Sequence, residues 1–201
     1  MFDLPYHFRR FKQLLRMEPP HRVTAPPQLR MIRLFESEPI TLASLNRSYR
    51  VIGYSAEYRQ KWIDLLNSNN DLGYWDNDRF TNELLANMVP DSEILVLDGE
   101  KLFGACTAFR LALYEPYAVL AYPIVQTSYR NKGVGTFLIS QTLFRCQQAG
   151  FPGIILHTDD FRTHAIQAYL KLGFVPDLET SPETRERWQN FLDALDISRK
   201  M

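Results

Sequence analysis

Glycine and cysteine are scarce in this chain of 201 residues, with 9 and 2 copies, and no apolar run is long. The two thiols, Cys106 and Cys146, have neither metal-ligand nor redox spacing. Both sit in apolar-patterned segments and read as packed core cysteines. No stretch approaches the ~18 apolar residues of a membrane-spanning helix. The charged amino end also lacks a signal-peptide core, so the expected location is the cytoplasm. An excess of one charge is missing too. Lys plus Arg and Asp plus Glu number 23 each, which gives no bias toward nucleic acid or an anionic membrane. Internal repeats and long linkers are absent, so one large domain is expected, burying roughly 70% of the unfolded surface.

What is present is a regular succession of elements. Residues 6–17 set Arg9, Arg10, Lys12 and Arg16 among Phe8, Phe11, Leu14 and Leu15, the pattern of a short basic amphipathic helix. Packing on its own domain is favoured over a membrane-surface role. Pro19, Pro20, Pro26 and Pro27 then prevent regular structure. Periodicity predicts a strand over 29–35 and helices over 57–67 and 78–88. Strands follow over 93–97 and 102–113, joined by a turn at Asp98-Gly99. Next come a strand over 118–127, interrupted by Pro123, and a helix over 134–149 stopped by Gly150. A strand over 153–158, a helix over 163–172 closed by Gly173, and a strand starting at Phe174-Val175 complete the pattern. A last amphipathic helix spans 182–195, with Trp188, Phe191, Leu192 and Leu195.

Residues 129–136 read Tyr-Arg-Asn-Lys-Gly-Val-Gly-Thr and stand between a predicted strand and a predicted helix. Glycines let a backbone approach an anion closely. The amino end of a helix offers unpaired N–H groups and a partial positive charge. Alone, a G-x-G pair reads better as a tight turn. A dinucleotide fingerprint fails because Leu138 occupies the third glycine's position, and a Walker loop fails because Lys132 precedes the glycine.

The remaining pattern, Arg130-x-x-Gly133-x-Gly135, resembles the acetyl-CoA loop of the GNAT N-acyltransferase superfamily. Downstream, Ala165, Tyr169, Gly173 and Phe174 fall on a second motif of that family, A-x-x-x-Y-x-x-x-G-F. The resemblance is good over 93–174, thinner over 29–90, and does not reach residues 1–27 or 177–201. It implies an α/β fold of three layers. The central sheet would be mixed, mostly antiparallel and splayed at its middle, with helices on both faces. On that basis the chain divides into an extension (1–27), an acyltransferase domain (28–178) and a C-terminal helix (179–201) packed on the domain.

The resemblance further implies a site. Pro123, Ile124 and Val125 would line pantetheine in the splayed gap. Arg130, Asn131, Lys132, Gly133, Val134, Gly135 and Thr136 would hold the pyrophosphate, chiefly through backbone N–H groups. Val125 is the candidate oxyanion donor and Tyr169 the candidate general acid. Three departures stand out. Pro123 has no N–H to give and suits an edge or a bulge. Val119 occupies the place of a strand glutamate that serves some members as base. Arg162 replaces an asparagine, and either reaches a CoA phosphate or pairs with Asp159 or Asp160.

Glu115, His157, Asp159, Asp160 and His164 remain as base candidates. Their spacing matches no metal site, and Asp159 or Asp160 is expected to cap the following helix. Tyr74, Trp75 and Asp76 form the expected polar-aromatic tip of the acceptor side. The implied activity is acetyl transfer from acetyl-CoA to a primary amine, expected to be that of a small molecule, without metal, nucleic acid or membrane, by a monomer or homodimer. Acetylation of a protein amino terminus or lysine, and a non-catalytic acyl-CoA sensor, stay open as alternatives.

Overall fold

Alternating burial in β1 (Leu29–Leu34) sends Leu29 and Met31 into the core and leaves Arg30 and Ile32 half-buried on the other face, as period-2 patterning requires. The computed structural model describes residues 27–68 and 72–200. The amphipathic segment expected over residues 6–17 lies outside them.

Six further strands follow: β2 (Arg50–Ile52), β3 (Ile94–Asp98), β4 (Lys101–Phe109), β5 (Ala118–Val125), β6 (Gly153–Thr158) and β7 (Val175–Pro176). They form one sheet in the order β2-β3-β4-β5-β6-β1-β7. Every neighbouring pair is antiparallel except β5 and β6. The hairpin between β3 and β4 turns at Gly99, whose φ of 56° matches the turn read from Asp98-Gly99.

The sheet departs from the sequence reading at its first strand. The expected order put the strand over 29–35 directly before the two early helices. Instead β1 lies in the other half of the sheet, between β6 and β7. The strand that precedes the helices is β2, which has three residues, none of them buried. Residues 35–49 carry the chain between the two places. Ile40, Ala43, Leu45 and Tyr49 pack along the core there, and Ala43 N donates to Ser140 Oγ at 3.1 Å. Close passage of β1 is built into Gly153, where a Cβ would stand 2.5 Å from Arg33 O.

Helices cover both faces. On one side α1 (Arg59–Asn67) buries Trp62, Ile63, Leu65 and Leu66. The second early helix is not continuous as expected over 78–88. A short α2 (Asn77–Arg79), capped by the Asp76 side chain accepting from Arg79 N at 2.8 Å, widens into a π turn at Phe80–Leu84 and tightens to a 3-10 turn at Leu85–Asn87. On the other side lie α3 (Val134–Gln148) and α4 (Thr163–Lys171), with α5 (Pro182–Lys200) contributing Trp188 to the same core as Leu29 and Met31. The second β-strand of the hairpin ends at Phe109 rather than 113, and residues 112–114 form a 3-10 turn. Both cysteines are buried, and burial raises each thiol pKa to about 12, as inert core residues should behave. No helix among the described residues is long and apolar enough to cross a membrane.

Candidate active site

β5 and β6 pair in parallel only at Ala118 with Ile154 and Val119 with Ile155. Beyond that point β5 continues to Val125 and β6 to Thr158 without a ladder between them. The strands therefore splay into a V. A sheet opened in this way leaves backbone groups without partners, which is unfavourable unless a ligand or water satisfies them.

A bulge decides which backbone groups face the gap. Thr107 of β4 pairs with Ala121, but Ala105 pairs with Ile124, so β5 carries one extra residue between these rungs. Tyr122 and Pro123 supply it, and Tyr122 adopts φ 48°, a left-handed conformation that costs a non-glycine residue about 1–3 kcal/mol. Past the bulge, Gln126 N donates to Phe103 O of β4 at 2.8 Å. Alternation then turns the N–H and C=O of Val125 to the opposite side, into the V. Arg130 Nε donates to that carbonyl at 3.1 Å, which leaves the N–H as the open donor.

The loop after β5 starts with a 3-10 turn, Thr127–Tyr129, in which Tyr129 stacks on Phe103 with centroids 4.0 Å apart. Asn131 and Gly133 take φ 60° and 78°, and Gly133 caps α3. Among the described residues, no backbone N–H from Asn131 to Thr136 meets a protein acceptor, whereas Phe137 N already bonds Gly133 O at 2.9 Å. A Cβ on Gly133 would meet nothing within 4 Å, and one on Gly135 only Val125 Cγ2 at 3.9 Å. No protein atom requires either glycine for room. An open cradle of donors at a helix amino end is the geometry an anion needs, so these residues fit a CoA diphosphate. The exposed Arg130 and Lys132 side chains fold back onto nearby carbonyls, Lys132 Nζ donating to Ser128 O at 3.2 Å.

Val125, Val134 and Tyr169 share one apolar cluster on the α3–α4 face, so the structure gathers the strand end, the helix start and the candidate acid. Tyr169 is 7% exposed and edge-on to Phe174 at 5.8 Å. Its hydroxyl has no hydrogen bond among the described residues, and burial raises its pKa. Ile124 instead turns its side chain to the α1 side, and Pro123 is half-buried at the bulge. Arg162 stands at the start of α4 with Nε 3.0 Å from Asp159 Oδ2, so its guanidinium has a carboxylate partner.

The base candidates separate. Asp159 pairs with Arg162 and Asp160 with Arg187, and neither side chain caps α4 as expected. Glu115 and His164 are exposed. His157 lies on the stretch of β6 that pairs with β1 but not with β5, half-buried, with Nε2 3.3 Å from the Tyr114 hydroxyl. The expected acceptor tip is only partly a tip. Tyr74 is 77% exposed, but Trp75 is 1% exposed, clamped by Asn67 at its N and O and by Arg79 over its ring at 3.9 Å. Asp76 serves as the helix cap. No cluster of three or more metal-ligating side chains occurs among the described residues.

One group escaped the sequence reading. Glu83, on the π turn, is 4% exposed, ion-paired with Arg79 at 2.9 Å, and accepts the Tyr122 hydroxyl. Burial first, then the Glu83 carboxylate, raise the Tyr122 pKa. The Arg-x-x-x-Glu spacing was readable as a helical pair, but its partner on β5 was not.

A splayed sheet beside a donor-lined loop offers room for an extended ligand and donors for an anionic group, and comparison with known proteins specifies the family. Residues 53–174 match the family described as Acetyltransferase (GNAT) family. The chain belongs to that family. It is 30% identical over 123 residues to a mycothiol acetyltransferase of Corynebacterium glutamicum (strain R), covering 57% of this chain and 40% of the relative. The chain thus spans less than half the length of that relative. Among solved structures, a GCN5-related N-acetyltransferase from Sphaerobacter thermophilus aligns with a TM-score of 0.59 at 13% identity, over 76% of this chain and 50% of that one. AAC(6')-Iy, in complex with a bisubstrate analogue, CoA-S-monomethyl-acetylneamine, aligns with a TM-score of 0.53 at 17% identity, over 63% and 90%. At these identities the structural matches establish the fold.

Proposed function

We propose that this chain moves an acetyl group from acetyl-CoA to the primary amine of a small molecule. The observation that carries the reading is the Val125 N–H, turned into the V beside a helix start whose own N–H groups have no protein acceptor. The relative named for mycothiol supports a small acceptor.

Acetyl-CoA would supply an activated acyl group with a thiolate as leaving group. The N–H groups from Asn131 to Thr136, reinforced by the α3 dipole, hold the diphosphate. Val125 N–H donates to the acetyl carbonyl and stabilises the negative charge that grows there during attack, a contribution of about 10²–10³ in rate for comparable donors. His157 takes the proton lost by the amine as the N–C bond forms. Tyr169, protonated because burial raises its pKa, gives its proton to the sulfur as the C–S bond breaks. Splaying brings donor and acceptor together from two faces, so orientation supplies a large further part.

The test is a panel of primary amines with acetyl-CoA, followed by free thiol release, alongside calorimetry with acetyl-CoA and CoA. Binding with amine-dependent thiol release is the expected result. Binding without release to any amine would leave a sensor, and absence of binding would overturn the site altogether.

A further inference from the structure

We infer that Glu83 and Tyr122 are positioning residues for the transfer, because their contact pins the β5 bulge that turns the Val125 N–H into the V. This rests on the transfer reading above but makes a separate structural claim. The argument begins with parity. Ala121 faces β4, and an unbroken strand would direct residue 123 and then Val125 toward β4 as well. The single extra residue at the bulge reverses that order, so Val125 presents its N–H to the gap only while the bulge persists.

Bulges need something to hold them, and here the extra residue is in a left-handed conformation at Tyr122. What holds it comes from the acceptor side of the sheet. The bulge places Ala121 and Tyr122 side chains in the same α1-side cluster, which strict alternation would forbid. The Tyr122 ring meets Trp75 edge-on at 4.7 Å and Phe109 at 5.6 Å. Its hydroxyl donates to Glu83. Glu83 is fixed in turn by Arg79, whose Nε lies 2.9 Å from Oε2, and Arg79 also donates to Tyr74 O at 2.7 Å and Leu72 O at 3.2 Å. The chain of contacts therefore runs from the exposed loop at Tyr74, through the π turn, to the residue that sets the direction of the Val125 amide. A π turn gives Glu83 its reach, because widening the helix by one residue per turn shifts the side chains beyond it. Movement of the acceptor loop is thereby coupled to the donor's orienting hydrogen bond.

The decisive variant is Tyr122→Phe, which keeps the ring among Trp75 and Phe109 and removes only the hydroxyl. Two readings are taken on full-length protein. One is hydrogen exchange in the ligand-free state at the Gln126 amide, which donates to Phe103 O just past the bulge; it requires no activity. The other is steady-state transfer with acetyl-CoA, with CoA affinity measured separately by calorimetry. The expected result is at least tenfold faster exchange at Gln126, whose bond to Phe103 O exists only in the bulged register, together with a fall in kcat of about 10²-fold, the scale of a misplaced orienting group, and CoA affinity within twofold of wild type. Glu83→Gln keeps an acceptor for the hydroxyl and is expected to retain more kcat than Tyr122→Phe; the reverse order overturns positioning in favour of a proton-accepting role for Glu83. Unchanged exchange overturns the pinning. Faster exchange with unchanged kcat overturns the functional part. If wild-type protein transfers to no amine, the transfer reading fails, while the exchange measurement still decides the bulge.

Discussion

Arg130 Nε donates to the carbonyl of Val125 at 3.1 Å, so the first side chain of the loop motif is bound to the last residue of the strand before it. That bond holds the loop in register with the gap and satisfies the Val125 carbonyl, so the N–H is the backbone group of that residue left facing the gap. Arg130→Ala should weaken acetyl-CoA binding about five- to tenfold, read by calorimetry, with little change in melting temperature because the side chain is exposed. Arg130→Lys should recover part of the loss, since it keeps charge but not the planar donor.

The two loop glycines should separate stability from binding. Gly133 needs its φ of 78°, so Gly133→Ala should cost about 1–2 kcal/mol by denaturant melts. Gly135 has ordinary φ and space for a Cβ. Gly135→Ala, in the first turn of α3, should therefore leave stability equal or higher by up to about 1 kcal/mol. The same change should reduce CoA affinity at least tenfold. Retained affinity would show that the diphosphate does not lie against Gly135.

Tyr169 has a hydroxyl with no protein partner among the described residues, so Tyr169→Phe should not destabilise the fold. Transfer should fall about 10²-fold or more if the hydroxyl serves as the acid. Because burial raises its pKa above the ordinary tyrosine value of about 10, the group stays protonated through neutral pH. Any alkaline decline in kcat below pH ~10 must then survive in Tyr169→Phe, and a pH–rate profile of both proteins checks this.

Asp160 carries a pKa lowered by its hydrogen bond to Arg187. A depressed carboxylate stabilises the fold above its unfolded pKa of about 4, and that contribution disappears as pH falls through the lower, folded value. The pair is partly exposed, so its worth is no more than about 1 kcal/mol. Asp160→Asn should lower the melting temperature by about 1–4 °C at pH 7, and the difference should shrink as pH falls below about 4.

Much of this architecture was legible because its signals are local. Gly133 and Gly135 sit before a periodic apolar run, Asp98-Gly99 demands a turn, and Gly150 and Gly173 end helices with φ of 84° and 79°. The missed features depend on partners distant in sequence. β2 has no buried residue to give it a pattern. The place of β1 is set by pairing with residues 153–158, which no feature of residues 29–34 announces. Trp75 reads as an exposed loop aromatic until Asn67 and Arg79 are seen to enclose it. Pro123 did hint at a bulge, but only the register with β4 shows that it reverses the side that Val125 faces. Glu83 looked like one more charge on a helix, because its burial follows from a tyrosine 39 positions away.

The insertion of β1 between β6 and β7 reaches beyond the site. A fragment trimmed to the family-matched segment, 53–174, would lack the strand that β6 leans on along its whole length. Leu29 and Met31 would be missing from the interior, and the edge of β6 would lie open with its amides and carbonyls exposed. Such an edge recruits strands from other molecules, so a shortened version should aggregate more readily than the longer chain. For this protein, the segment recognisable by kinship is smaller than the sheet to which it belongs.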